Sequence, residues 1–264
     1  MTRPTPRRDA RRSAAAVLAA LLAALVAVGG ACGGSTSPSS GERRELTVLA
    51  ASSLTEAFTE LGGRFTAAHP DVRVTFAFAG SSDLVTQLRQ GAPADVLATA
   101  DTASMDKVTS KTGVPRTFAG NRLIIAVEPG NPRHVTGLAD LAREDLTVVL
   151  AAPEVPAGKY AAEILARAGV SVHPASLEES AKGVVAKVSL GEADAGIAYV
   201  SDVQAAQGTI EGVAIPDAQN VIATYPIATI DAGAHPDDAR AFVELVLSPE
   251  GQRILAGFGF LPPP

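Results

Sequence analysis

From Leu46 onward, short apolar runs alternate with segments of helical periodicity, and this alternation limits the possible folds more than any other feature of the sequence. LTVLAA (Leu46–Ala51) reads as a strand. Leu54, Phe58, Leu61 and Phe65 then follow at the four-three-four spacing of one helix face, ending before His69-Pro70. VRVTFAFA (Val72–Ala79) is the next strand, and DLVTQLRQ (Asp83–Gln90) is a helix stopped by Gly91. The pattern continues with DVLAT (Asp95–Thr99), a helix over 102–111, RLIIAV (Arg122–Val127) and LTVVLAA (Leu146–Ala152). Helices over 158–168 and 181–190, strands DAGIAYV (Asp194–Val200) and VIATYPIATI (Val221–Ile230), and two final helices complete the pattern. Strands and helices in this order predict an α/β fold with sheets covered on both faces. About 220 residues of such units suit two sheets better than one. The expected seam lies near Ala126–Pro129, with a return crossing near Tyr225-Pro226. Lobe 1 is then residues 45–126 plus 227–264, and lobe 2 is residues 127–226.

The 45 residues before this pattern are of a different kind. Arg3, Arg7, Arg8, Arg11 and Arg12 precede an apolar run from Ala14 to Ala31 that exits through Gly29-Gly30-Ala31 into Cys32. A basic start, a short apolar core and small exit residues form an export signal over residues 1–31. The exit resembles a bacterial lipobox, with Gly29 where an aliphatic residue is usual, so Cys32 is the expected lipidation site; cleavage elsewhere or retention as an anchor is the alternative. Residues 32–44 then read as the lipidated cysteine and a small polar tether, reaching roughly 20 Å as a coil. Loss of the leader removes five arginines and one aspartate and takes the formal charge from −6 to −10. An acidic exported chain lacks the electrostatic footprint of a nucleic-acid binder. A single cysteine excludes an internal disulfide, an iron–sulfur cluster and a Cys-rich zinc site. Three of the four histidines directly precede proline, a turn signal rather than a metal-ligand pattern.

The chemistry lies at the strand-to-helix turns. Ser53 and Glu56 have capping-box spacing after the first strand, and Gly80-Ser81-Ser82-Asp83 follows the second in the same way. Pro156-Ala157-Gly158-Lys159 and Glu179-Ser180-Ala181-Lys182 open two later helices. Each start leaves backbone N–H groups without intrahelical acceptors at the positive end of a helix dipole, which favours an anion. Taken singly, each turn is an ordinary cap, since every βα unit has one.

Five ordered segments carry a resemblance further: Ala50–Phe58, Phe78–Leu84, Gly91–Val96, Val155–Ala161 and Gly191–Asp202. Together with the terminal Gly-Phe-Gly-Phe they resemble the molybdate-binding receptors of ABC importers (ModA type), over residues 46–261. The resemblance implies a two-lobed type II periplasmic-binding-protein fold, with two mixed or parallel sheets, flanking helices and a hinge. It implies oxyanion ligands at Ser53 and Ser81 (hydroxyl and backbone N–H), Ala157 and Ala181 (backbone N–H) and Tyr199 (phenol). Ala181 stands where relatives often have Val, a change that leaves the backbone donor in place, and Lys159 has no ligand role in the pattern. It also implies molybdate and tungstate as cargo, no catalysis and no cofactor, and an ABC permease with its cytoplasmic ATPase as partner. A monomeric, lipid-anchored receptor outside the cell membrane is the expected form. A donor-only site suits a fully ionised tetrahedral dianion, whereas a protonated phosphate would want an acceptor as well.

Rival readings find less support. An enzyme on the same fold would be expected to show a G-x-S-x-G elbow, a P-loop or a G-x-G-x-x-G turn after a strand, and none is present. A receptor for sulfate, phosphate or an organic acid would share the same turns, differing in cavity size. An adhesive surface lipoprotein would show extended β repeats, which are missing. Lipidation has a direct check: Cys32→Ser is expected to move the protein from the membrane to the soluble fraction on cell fractionation.

Overall fold

The structure is a computed structural model describing residues 43–263; the leader, Cys32 and residues 33–42 of the tether lie outside them. The first apolar run forms β1 (Arg44–Ala51), then a 3-10 turn at Ser52–Leu54 leads into α1 (Thr55–Ala68). Next come β2 (Val72–Ala79), α2 (Ser81–Arg89), β3 (Val96–Ala98), α3 (Thr102–Asp106) and β4 (Arg116–Val127). The middle of the chain supplies β5 (Val148–Ala151), α4 (Pro156–Ala168), β6 (Ser176–Glu178) and α5 (Ala181–Ser189). β7 (Ala195–Tyr199), α6 (Val200–Ala205) and β8 (Glu211–Ala214) follow, and β9 (Ile222–Thr229), α7 (Pro236–Leu247) and α8 (Pro249–Gly257) close the chain.

Three differences from the sequence pattern have local causes. The helix expected over 102–111 stops at Asp106 and resumes only as a 3-10 turn at Thr109–Lys111. Asp101 caps its start by accepting from Ser104 N–H at 2.8 Å, but β-branched Val108 and Thr109 follow within two turns. β4 starts at Arg116 rather than Arg122, because Gly120 and a fully buried Asn121 interrupt the apolar signature of a strand. β6, α6 and β8 are too short to show a period, and β8 is largely exposed.

Among the described residues the strands form one hydrogen-bonded path, β2-β1-β3-β9-β4-β7-β5-β6, with β8 also paired to β4. β1 runs parallel to β2 and β3, and β5 runs parallel to β6 and β7. Three of the four antiparallel pairs among the described residues are made by β4 and the fourth joins β3 to β9, so the two expected sheets are halves of one mixed sheet sharing β4. Arg116–Arg122 of β4 pairs with β9, whereas Leu123–Val127 pairs with β7, and Ile124–Val127 also with β8. At the change of partner, the Asn220 side chain takes the place of a strand. Its Nδ2 donates to Leu123 carbonyl at 2.8 Å and its Oδ1 accepts from Leu123 N–H at 3.2 Å. Backbone groups that would otherwise be buried without partners are thereby satisfied.

β1 is buried on both faces. Leu46, Val48 and Ala50 pack with Phe58, Phe65 and Phe242, while Leu49 packs with Leu84, Leu97 and Met105 on the other side. Phe58 is fully buried, with ring centroids 5.7 Å from Phe118 and 5.9 Å from Phe242. Burying such a side chain contributes roughly 1.5–3 kcal/mol. Gly169, with φ +66°, ends α4 in the left-handed conformation that a residue with a Cβ adopts poorly. Gly158 is required for a different reason: a Cβ there would run into the carbonyl oxygens of Ala151 and Ala152, so only glycine lets α4 begin against the end of β5. Gly158→Ala is expected to cost about 1–3 kcal/mol. For a domain of this size that is a drop of very roughly 2–12 °C in melting temperature, measurable by calorimetry.

Candidate functional site

The 3-10 turn ahead of α1 and the starts of α2, α4 and α5 meet at a common small space between the two halves of the sheet. Ser53, Ser81, Ala157, Ala181 and Tyr199, taken from five separated segments, all line it, together with Ser180. The cavity has about 20 Å³ in the measure in which one water needs roughly 10–15 Å³, so it admits one small species. Its remaining wall is mostly Ala, Gly, Pro and Val, and the lining contains no carboxylate and no cationic side chain. Small residues let the backbone itself approach whatever sits inside.

The donors arise from the local folding of each turn. Ser81, Ala157 and Ala181 are within the first two residues of α2, α4 and α5, where an N–H has no intrahelical acceptor. Ser180 caps α5 by accepting from Gly183 N–H at 3.1 Å, leaving the Ala181 N–H uncommitted. The expected capping box at Ser53 does not form. Ser53 lies inside the 3-10 turn, no side chain caps α1, and its Oγ instead meets Tyr225 Oη at 3.0 Å. Ser81 Oγ accepts from Ala100 N–H at 3.0 Å, which occupies a lone pair and leaves its hydrogen free to donate. Tyr199 Oη is buried with no hydrogen-bond partner among the described residues. A buried phenol without a partner on a cavity wall is a donor that an acceptor in the cavity would satisfy. Burial also pushes its pKa well above the usual tyrosine value, so it remains protonated.

The cations nearest the cavity are engaged elsewhere. Lys159 pairs with Asp101 at 3.1 Å, and Lys182 on α5 pairs with Glu56 on α1. Ser82 Oγ donates to Glu154 carbonyl at 2.8 Å, and Gly80 packs so tightly on Glu179 carbonyl that a Cβ would come within 2.5 Å of it. These contacts draw the two halves together at the rim. Among the described residues no cluster of His, Cys, Asp or Glu could hold a metal ion.

Sequence reasoning gave Tyr225 no role beyond the return crossing, and Asn121 and Asp202 none. Tyr225 carries no local motif, because its partner Ser53 is 172 residues away. Asp202 is 3% exposed; its Oδ2 accepts from Tyr199 N–H at 3.4 Å and its Oδ1 has no partner among the described residues. Burial raises its pKa to about 7, with Glu56 pushing the same way, while the Tyr199 N–H and Lys182 pull it down.

A two-halved sheet with helix starts converging on a small neutral cavity is the architecture of a solute-binding protein. The chain belongs to the bacterial extracellular solute-binding protein family, whose model matches residues 46–261. It is 44% identical over 229 residues to the molybdate-binding protein ModA of Mycobacterium tuberculosis, covering 86% of this chain and 87% of that protein. The periplasmic molybdate-binding protein of Azotobacter vinelandii superposes with TM-score 0.71 at 20% identity, covering 83% of this chain and 100% of the other. The sulfate-binding protein SubI of Mycobacterium tuberculosis superposes with TM-score 0.73 at 19% identity, covering 83% and 87%. At such identities the two structures speak to the fold alone. The type II periplasmic-binding-protein fold implied by the sequence is the fold observed, and the family is one of binding proteins rather than enzymes.

Asp202 gives the site a pH signature. An unfolded aspartate titrates near about 4, so the unfolded chain releases this proton first and stability falls as pH rises from there through about 7. Asp202→Asn is expected to remove that fall. The variant should melt like the parent near pH ~4 and gain on the order of 3 kcal/mol over it near pH ~8, as read from melting curves across the range.

Proposed function

We propose that the chain is an extracytoplasmic receptor that captures molybdate, with tungstate as a near-equivalent cargo, and delivers it to the permease of an ABC importer driven by a cytoplasmic ATPase. Support comes first from the cavity itself, lined by Ser53, Ser81, Ala157, Ala181 and Tyr199 and free of carboxylates and cations. Molybdate is a tetrahedral dianion with no proton to give, so a wall of N–H and hydroxyl donors without a carboxylate suits its oxygens. Neutral donors at helix starts hold such a charge in the manner of an oxyanion hole, without a countercharge. The named relative supports the same cargo.

Ser53 and Ser81 belong to one lobe and Ala157, Ala181 and Tyr199 to the other, the lobes being 45–126 with 227–264 and 127–226. Closure is a hinge motion about β4, where it changes partner at Arg122–Leu123 and where Asn220 bridges the gap. The rim pairs Lys159–Asp101 and Lys182–Glu56 then join the halves when they meet. The receptor acts as a monomer held to the outer membrane face by a lipid on Cys32.

A thermal-shift panel with molybdate, tungstate, sulfate and phosphate tests the cargo. Molybdate and tungstate at about 100 times Kd should each add roughly 2.7 kcal/mol of stability, with sulfate and phosphate far behind at equal concentration. No shift with molybdate, or a larger one with sulfate, overturns the reading.

A further inference from the structure

Tyr225 on β9 does not line the cavity, yet its phenol oxygen is 3.0 Å from Ser53 Oγ, and both residues are buried. We propose that Tyr225 is a positioning residue of the anion site: it donates its hydrogen to Ser53 Oγ, so that the serine's own hydrogen is committed to the cavity. The inference deepens the oxyanion reading and rests on it.

The polarity of the Ser53–Tyr225 bond follows from satisfaction. Tyr225 is fully buried, and among the described residues Ser53 Oγ is the acceptor its hydroxyl reaches. If Ser53 donated instead, the phenol hydrogen would be buried without an acceptor, which costs more than the bond returns. The Asn121 side-chain amide is engaged elsewhere, its Nδ2 donating to Ser201 Oγ at 2.8 Å. Nor can the phenol swing away. Its ring is held edge-on by Phe118, Tyr199 and Phe260, with centroids at 6.2, 5.9 and 5.4 Å.

The second serine reaches the same state by another route, since Ala100 N–H occupies a lone pair of Ser81 Oγ. Both serines are therefore held as donors, one by a backbone amide and one by Tyr225. An oxyanion without protons gains from this everywhere. Hydrogen phosphate brings an O–H that needs an acceptor, and a Ser53 oxygen already receiving a hydrogen from Tyr225 is a poor one. Without the phenol hydroxyl, Ser53 is free to rotate and accept. Tyr225 thus governs selectivity between unprotonated and protonated tetrahedral anions through Ser53, without itself lining the cavity.

The test is titration calorimetry on the full chain with sodium molybdate and inorganic phosphate near neutral pH, using Tyr225→Phe, Ser53→Ala and the double variant. Tyr225→Phe keeps the ring and its edge contacts. It should weaken molybdate binding by up to about tenfold, the range for one buried hydrogen bond, and narrow the ratio of molybdate to phosphate affinity. In the Ser53→Ala background the same change should alter molybdate affinity by less than about twofold, because the phenol acts through that hydroxyl. Unchanged molybdate affinity in Tyr225→Phe overturns the inference. So does an equal loss with and without Ser53, or an equal loss for both anions, which is what damage to packing alone would give. The parent protein is titrated first: if it fails to bind molybdate, the oxyanion reading falls and takes this inference with it, an outcome distinct from a parent that binds and a variant that does not differ.

Discussion

The structure depends on backbone N–H groups that no acceptor in their own helices meets, brought from several segments to one small space. Ser81, Ala157 and Ala181 sit at helix starts, where such groups are an unavoidable result of helix geometry. One of them is an ordinary surface feature. Several around a cavity of about 20 Å³ form a locus of positive potential made from neutral parts. The alanines, glycine and proline of the wall serve this arrangement, because a larger side chain at those positions would keep the backbone away from any guest. Gly158 and Gly80 show how tight the fit is, as neither has room for a methyl group.

A neutral cavity in an acidic protein has consequences for recognition. With a formal charge of −6, long-range attraction does not recruit an anion, so discrimination rests on short-range donor geometry. Keeping lysines at the rim rather than inside preserves that logic. Lys159 and Lys182 are matched by Asp101 and Glu56 across the halves, where their charge contributes to joining the lobes rather than to gripping any cargo indiscriminately. Behind the wall lies a buried polar layer of Asn121, Ser201, Asp202 and Tyr225. Such a layer is costly where its members are left unpaired, as Asn121 Oδ1 and Asp202 Oδ1 are among the described residues, and through Tyr225 it sets which way Ser53 points.

Much of the fold was legible in the sequence. The apolar runs at Leu46–Ala51, Val72–Ala79 and Leu146–Ala152 and the helix face of Leu54, Phe58, Leu61 and Phe65 need only local periodicity, because each buries one or both faces in a packed layer. The antiparallel arrangement at β4 was not legible. Gly120 and Asn121 interrupt its apolar pattern, and its partners β7, β8 and β9 lie 68 to 113 residues further on at their nearest and farthest starts or ends. Ser53 shows the limit within a single turn: its spacing to Glu56 spells a cap, yet its hydroxyl is taken by Tyr225.

By itself, the sequence determined which segments become strands and helices, where the helices start, and the family to which the chain belongs, since these follow from periodicity, turn residues and ordered local motifs. Only the tertiary structure decided that those helix starts face one cavity, that Tyr199 is left without a partner, and that Tyr225 stands behind Ser53. Each of these depends on residues far apart in the chain, placed by strand order and register, and none leaves a mark on the residues next to it in sequence.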